Sequence, residues 1–324
     1  MKIIHLSDFH LNNEKLPVNH RRILDALIKD LANYQIDNDT LLIFSGDFLN
    51  LGGKNFETPA TCFQTFVNLI FEPIYDKYPS LRNRTFFVPG NHDLSRDKIK
   101  ASHKATKKQI LDSSELREEL YEELKEDLVG FIAYNQFKDE FYSTCTFMSK
   151  ELTFFENNFQ LIVDEELIGI TSFNSSTFCY ENNDLGNLLL FEKQLTNSLE
   201  QINECDVKIA ILHHPINFFH KSESDKVKEF LEKEYDLVFF GHTHKQESAF
   251  NQSLNGNCYF AIGKSLNGEV TEDTIYNNGY SIVDYIPNTS LKVHLRKFNN
   301  TSDAFIANSD YGKEDGIQEI SINS

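Results

Sequence analysis

Five short apolar runs in this chain end in the same way. KIIHLS (2–7), TLLIFSG (40–46), RTFFVPG (84–90), DVKIAILHHP (206–215) and YDLVFFGHTH (235–244) are each too short for an ordinary helix, and each gives way to Asp, Asn or His. Apolar runs without polar alternation read as strands buried on both faces, as in parallel sheets. Helical spacing separates the first three: 17–34, through Val18, Ile23, Leu27, Ile28 and Leu31, and roughly 57–76. Strand, helix and strand at this spacing predict βαβ units and an α/β fold. Ligands of open α/β sheets gather beyond the carboxyl ends of the strands. SDFH (7–10), SGDFLN (45–50), PGNHD (89–93), LHHP (212–215) and FGHTH (240–244) can therefore meet in one crevice. A lone Asp or His after a strand is more often a cap or a surface residue than a ligand. Five in this order are not a chance pattern.

The remaining chain is less explicit. Residues 95–145 are charged and helical, with Leu116, Leu120, Leu124 and Leu128 along one face; they read as helices packed on the body, or as a cap over the site. The stretch 158–173 suggests a hairpin or two adjacent strands, 188–202 and 222–234 helices, and 257–262, 279–286 and 290–297 further strands. Beyond about 300, Asn, Ser, Asp and Gly dominate, and a mobile tail and a final packed strand are equally open. The expected organisation is one domain over 1–298, with a helical insertion at about 95–150 and a tail at 299–324.

Charge narrows the function. Lys and Arg total 31 against 49 Asp and Glu, a net charge of -18, which disfavours a passive nucleic-acid coat or a membrane-surface binder. Five scattered cysteines (Cys62, Cys145, Cys179, Cys205, Cys258) without a CxxC pair read as reduced, buried thiols. No apolar run approaches the ~20 residues that span a bilayer, and no basic-then-apolar leader is seen. A cytoplasmic location is expected.

In motif order the chain resembles the calcineurin-like metallophosphoesterases, whose signature runs DxH, GDxx(D/N), GNH(D/E), a His, then GHxH. Here these are Asp8-Phe-His10, Gly46-Asp47-Phe-Leu-Asn50, Gly90-Asn91-His92-Asp93, His213 and Gly241-His242-Thr-His244, spanning residues 1 to about 245. The resemblance implies a four-layer α/β/β/α sandwich and two divalent metal ions, Mn, Fe or Zn, with Mn favoured. It implies that Asp8, His10, Asp47 and His244 hold the first ion. Asp47 would bridge to the second, completed by Asn91, His213 and His242. His213 is preferred to His214 because the family's ligand lies two residues before the proline of an HxP segment; His214 remains the alternative. Oxygen and imidazole donors suit such metals, and two ions a few ångströms apart can clamp a phosphoryl group and activate water. With only Asp8 and Asp47 anionic, four positive charges less two leave the centre near +2, attractive to phosphate inside an acidic protein.

The resemblance assigns His92 to acid chemistry, stabilising the transition state and protonating the leaving oxygen. Asn50 stands where the calcineurin-type phosphatases place Asp; an amide orients the imidazole without adding charge, which fits branches that cleave diesters. Asp93 is expected to be structural, and so are His5, His20, His103, His220 and His294. Lys54, Arg96 and Lys245 lie near motifs by proximity alone. The expected function is hydrolysis of a nucleotide-type phosphodiester, with a DNA or RNA nuclease, its missing charge supplied by a basic partner, as the second reading and a metal-free scaffold as the third. In extended chain, a spacing of two should aim Asp8 and His10 the same way while Phe9 enters the core.

Overall fold

The computed structural model describes residues 1–324 except 13–17, 125–128, 182, 254–255, 268–277, 312, 314 and 323–324; Leu128 lies outside the described residues. The first strands are β1 (Lys2–Leu6), β2 (Thr40–Phe44) and β3 (Thr85–Phe87), with helix α1 (Val18–Leu31) after β1. A second helical stretch, α2 (Pro59–Phe66) and α3 (Glu72–Lys77), joins β2 to β3. Between α2 and α3 the helix widens into a π-turn over Val67–Phe71. Pro73 has no N–H to offer the Leu69 carbonyl, and its ring would collide with it.

After α4 (Ala101–Asp112), α5 (Ser114–Leu124) and α6 (Ile132–Ser143) come β4 (Ser149–Leu152), β5 (Glu156–Val163), β6 (Glu166–Phe173), α7 (Glu192–Ile202), β7 (Val207–Leu212), α8 (Ser224–Glu234) and β8 (Leu237–Phe240). The chain continues through β9 (Glu247–Ser253), β10 (Gly256–Ile262), β11 (Gly279–Ile286), β12 (Ser290–Asn299), β13 (Ala304–Ala307) and β14 (Ile317–Ser321). One sheet runs β13-β12-β11-β1-β2-β3, with β14 also on β12; the other runs β4-β5-β6-β7-β8-β10-β9. β1, β2 and β3 are mutually parallel, as are β6, β7 and β8. The carboxyl ends of both parallel blocks carry the polar motifs.

The two sheets face each other and helices cover the outside, giving the four-layer α/β/β/α sandwich. β3 meets β5 through Phe86 and Phe159, ring centroids 5.1 Å apart, and β1 meets β8 through His5 and Phe239 at 4.9 Å. Every residue of β2 and β8 is buried, which is why these runs show no polar alternation. Residues 158–173 form the antiparallel hairpin of β5 and β6. Beyond 300, β13 and β14 both pair with β12. Among the described residues no helix is long and apolar enough to cross a membrane, and all five cysteines are buried and unbridged.

The helical stretch after β3 divides in two. α4 and α5 attach through charged contacts, Lys107 to Asp184 at 3.0 Å and Arg117 to Glu223, and through Tyr121, which stacks on Phe155 at 4.7 Å. α6 belongs to the body, because Phe137 stacks on Phe63 at 4.9 Å and on Phe87 at 5.2 Å. Deleting a buried Phe ring leaves a cavity that such a cluster cannot close. Phe137→Ala should therefore cost about 3–5 kcal/mol of unfolding free energy. Leu116→Ala, at a side chain 41% exposed on α5, should change it by less than about 0.5 kcal/mol. Urea unfolding followed by circular dichroism checks both values, and equal small effects would detach α6 from the core.

Candidate metal centre

Each of the five strand ends delivers its polar residues to the seam between the sheets. β1 leads to Asp8 and His10, β2 to Asp47 and Asn50, β3 to Asn91 and His92, β7 to His213, and β8 to His242 and His244. Backbone hydrogen bonds lace these loops together. Asp8 N–H donates to Gly46 O at 3.0 Å, His10 N–H to Asp47 O at 3.0 Å, and Gly241 N–H to His213 O at 2.9 Å. The approach is so close that Gly46, at φ 97°, has no room for a side chain: a Cβ there would lie 2.6 Å from His213 Nδ1 and 2.8 Å from Gly90 N.

The extended geometry expected for the Asp8–His10 pair is not what the chain adopts. β1 stops at Leu6, and Asp8 and His10 have φ of 53° and 50°. Asp47, His242 and His244 also sit in the left-handed region, at 58°, 72° and 58°. Bringing donors from several strand ends to one point needs sharper turns than strand alternation provides. Such backbone costs of order 1–3 kcal/mol per non-glycine residue, and it persists only where the surroundings impose it. Phe9 is fully buried, as expected.

The side chains form two adjoining groups. In the first, His10 Nε2 lies 3.0 Å from His244 Nε2, His244 Nε2 lies 3.3 Å from Asp8 Oδ1, and His10 Nε2 lies 3.8 Å from Asp47 Oδ2. In the second, His213 Nε2 is 3.4 Å from the same Asp47 Oδ2, 3.1 Å from Asn91 Oδ1 and 3.3 Å from His242 Nδ1. His242 Nδ1 completes the set at 2.9 Å from Asn91 Oδ1. Asp47 Oδ2 thus stands between the groups, while Asp47 Oδ1 accepts the His92 backbone N–H at 2.8 Å. His213 Nδ1 donates to Ser45 O at 2.7 Å, so the Nε2 lone pair of the neutral ring faces a carboxylate and an amide oxygen. Such an array could hold a cation. The oxygen and imidazole donors, without thiolate, fit a divalent ion of the Mn, Fe or Zn kind.

His213, His214 and His242 bring ring nitrogens within 4.8 Å of one another, but His213 and His214 bond different neighbours. His214 turns Nδ1 to Ser175 Oγ at 3.0 Å and Nε2 to Cys179 Sγ at 3.6 Å, although its ring stays 4.5 Å from that of His242. Asp93 ties two motif loops together: its carboxylate accepts N–H from Gly90 at 2.8 Å, Leu49 at 2.9 Å and Phe48 at 3.3 Å. Burial and the neighbouring Asp47 nevertheless push its carboxyl up to about 8.

Electrostatics follow from burial and pairing. Burial raises the Asp8 carboxyl, but His244 and His213 outweigh it and bring it down to about 2. Asp47 falls well below the carboxylate range because His213, His92 and His10 together outweigh its burial. Burial drives His10 and His242 down to about 4, so both are neutral at pH 7. His213 goes the other way: burial lowers it, Asp47 more than compensates, and it is pushed up to about 9.

His92 stands beside the first group, its ring centroid 4.7 Å from that of His10. Its Nδ1 faces Asn50 Oδ1 at 3.2 Å and the Leu51 backbone N–H at 3.4 Å. An acceptor and a donor at one edge give either protonation state a partner. Arg96 reaches Asp184 at 3.9 Å. His20 packs on Phe9, His294 pairs with Asp284, and His220 bonds Ser222. Residues the sequence left unassigned also reach the site: Ser7 donates to Asp8 Oδ2, Ser45 donates to Ser7 at 2.8 Å, and Phe218 sets its ring 4.4 Å from that of His242. The available signal was position, since Ser7 and Ser45 each close a strand just before a motif carboxylate.

The profile of the calcineurin-like phosphoesterases matches residues 1–246, and the chain belongs to that family. It is 24% identical over 269 residues to an uncharacterized metallophosphoesterase-like protein, YydB, of Bacillus subtilis (strain 168). That match covers 79% of this chain and 51% of YydB, so the chain spans about half the length of the curated relative it matches. Among solved structures it is similar to the purple acid phosphatase PPD1 from yellow lupin (Lupinus luteus) seeds. The TM-score is 0.55 at 13% identity, covering all of this chain and 54% of the other. Vps29 of Entamoeba histolytica aligns over the full length of both chains at 11% identity and a TM-score of 0.39.

The His213 shift has a testable sign. With a folded value of about 9 above the ordinary ~6.5, the metal-free protein holds this proton at pH 7 and loses it as pH rises toward 9. A cation must displace that proton, so metal affinity should climb with pH up to about 9, and loading at pH 7 should release at least one proton into weakly buffered solution. Loading without proton release would remove His213 from the donor set.

Proposed function

We propose that the chain is a dinuclear metal-dependent phosphodiesterase acting on a nucleotide-type ester, with Mn as the favoured metal. The observation that carries this reading is the pair of donor groups sharing Asp47 Oδ2, with the His92–Asn50 pair beside them. Asp8, His10, Asp47 and His244 would hold one ion, and Asp47, Asn91, His213 and His242 the other. When bound, the two ions supply charge neutralisation for the phosphoryl oxygens and a nucleophile from water at neutral pH.

The remaining work falls to the chain itself. Asp47 would contribute to both donor groups and, by accepting the His92 N–H, fixes the loop that carries the acid. The charged His92 ring would donate Nδ1–H to Asn50 Oδ1 and give its Nε2 proton to the leaving oxygen; a neutral ring protonated at Nε2 can instead accept Leu51 N–H at Nδ1. Asn50 orients the imidazole without the charge a carboxylate would bring, which suits a diester leaving group. His10 and His242, neutral at pH 7, present lone pairs rather than protons to the ions.

One local feature favours a nuclease as the second reading. Lys98, Lys100 and Lys104 are exposed on the segment that follows the GNHD loop, a basic stretch in an acidic protein that could meet a phosphate backbone. The Mn-loaded protein should hydrolyse bis-p-nitrophenyl phosphate. His92→Ala should lower kcat by about 10²–10⁴-fold with metal stoichiometry unchanged. A panel of cyclic nucleotides, dinucleotides and single- and double-stranded DNA decides the substrate: cleavage of DNA alone would replace the nucleotide reading with the nuclease. A protein that takes up no metal at neutral pH would refute the hydrolase altogether.

A further inference from the structure

A continuous hydrogen-bonded chain runs from the interior of β1 to the first donor group. His5 Nε2 lies 2.9 Å from Ser45 Oγ, Ser45 Oγ lies 2.8 Å from Ser7 Oγ, and Ser7 Oγ reaches Asp8 Oδ2. All four residues are within 1% of full burial. The polarity of the chain is fixed from its charged end. An ionised carboxylate can only accept, so Ser7 must donate to it; each hydroxyl has one hydrogen, so Ser45 donates to Ser7 and His5 donates from Nε2 to Ser45. That leaves the Nδ1 lone pair of His5 buried, without a hydrogen-bond partner.

Two further features show that this chain is built rather than incidental. The second sheet makes room for it: a Cβ on Gly263 would lie 2.9 Å from both His5 Cε1 and Ser7 Cβ. The His242 backbone N–H is shared between the two carboxylate oxygens, 3.1 Å from Asp8 Oδ2 and 3.2 Å from Oδ1. What separates the two oxygens is the Ser7 hydroxyl, which holds Oδ2 only, while Oδ1 faces His244 Nε2 at 3.3 Å and His10 Nε2 at 3.9 Å. An apolar ring at position 5 would pack against Phe239 and leave no orphaned nitrogen, so the fold alone gives no reason for histidine there.

We propose that His5, Ser45 and Ser7 form a positioning relay that pins Asp8 Oδ2 and offers Oδ1 alone to a cation in the Asp8–His10–His244 group. The relay rests on the dinuclear reading above. Removing it frees the carboxylate to rotate or to spread its charge over both oxygens, which weakens one ion without touching the other. Outer partners of metal ligands commonly contribute ten- to a hundredfold in metal affinity.

The test uses the full chain stripped of metal, with Mn(II) binding followed by electron paramagnetic resonance and unfolding followed by heating. His5→Phe should keep or raise the melting temperature of the metal-free protein, because it removes the orphaned nitrogen, yet weaken one of the two Mn(II) equilibria by about tenfold or more. Ser45→Ala should weaken the same equilibrium and decides the matter should His5→Phe fail to fold. His5→Gln, whose amide can still donate to Ser45, should retain affinity within about threefold. Unchanged Mn(II) affinity in His5→Phe and Ser45→Ala overturns the relay alone, and so does a loss in His5→Gln as deep as in His5→Phe. A wild-type chain that takes up no Mn(II) overturns the metal centre and the relay together.

Discussion

Two carboxylates, Asp8 and Asp47, lie buried where the sheets meet, at 0% and 1% exposure, and the rest of the site follows from keeping them charged there. Removing an ion from water costs several kcal/mol unless hydrogen bonds and opposite charge replace the solvent. Backbone N–H groups of His92 and His242 and the Ser7 hydroxyl supply part of that replacement. The imidazoles supply the rest only when something positive stands among them. In the metal-free protein the His213 proton fills that place, which is why His213 alone of the second group's histidines is pushed upward while His242 is driven down. The same requirement explains the backbone. Donors on five separate strand ends can approach within 3–4 Å only if the chain turns abruptly, and after β1, β2 and β8 the left-handed conformations at Asp8, His10, Asp47, His242 and His244 make those turns.

What the sequence revealed and what it hid divide along physical lines. Buried parallel strands announce themselves, because both faces must be apolar; β2, β7 and β8 were legible for that reason. Their polar ends were legible because the chemistry of the site limits which residue types can stand there. The edge strands β4 and β9 were not, since SKEL and ESAFNQS carry no apolar pattern and owe their conformation to a neighbour. α6 read as part of a charged insertion because its sequence follows one, yet Phe137 and Tyr134 place it against α2. The spacing of Asp8 and His10 was noticed but its cause misread, because local spacing cannot report φ. The fully hidden part is the set of bonds between strands: nothing in the linear order joins His5 to Ser45, forty residues apart.

The pair α4 and α5 is held by buried ion pairs as well as by apolar packing. Lys107 and Asp184 are 7% and 6% exposed, and Arg96 approaches the same carboxylate. Arg117 joins Glu223 and also donates to the Ile110 and Leu111 carbonyls, at 2.8 and 2.6 Å. Buried ion pairs of this kind add little net stability, since desolvation offsets attraction, but breaking one leaves an uncompensated charge and is strongly unfavourable. They therefore add orientation to the apolar contact that Tyr121 of α5 makes with Phe155 and Phe191. Asp184 belongs to the loop after β6 that also carries Ser175 and Cys179, the partners of His214. His214 in turn packs edge-on against His213 and tilted against His242. A rotation of the hairpin about its ion pairs would thus be felt at the back of the second donor group, through packed and hydrogen-bonded neighbours alone. The element read least well in the sequence is the one most directly wired to the residues read best.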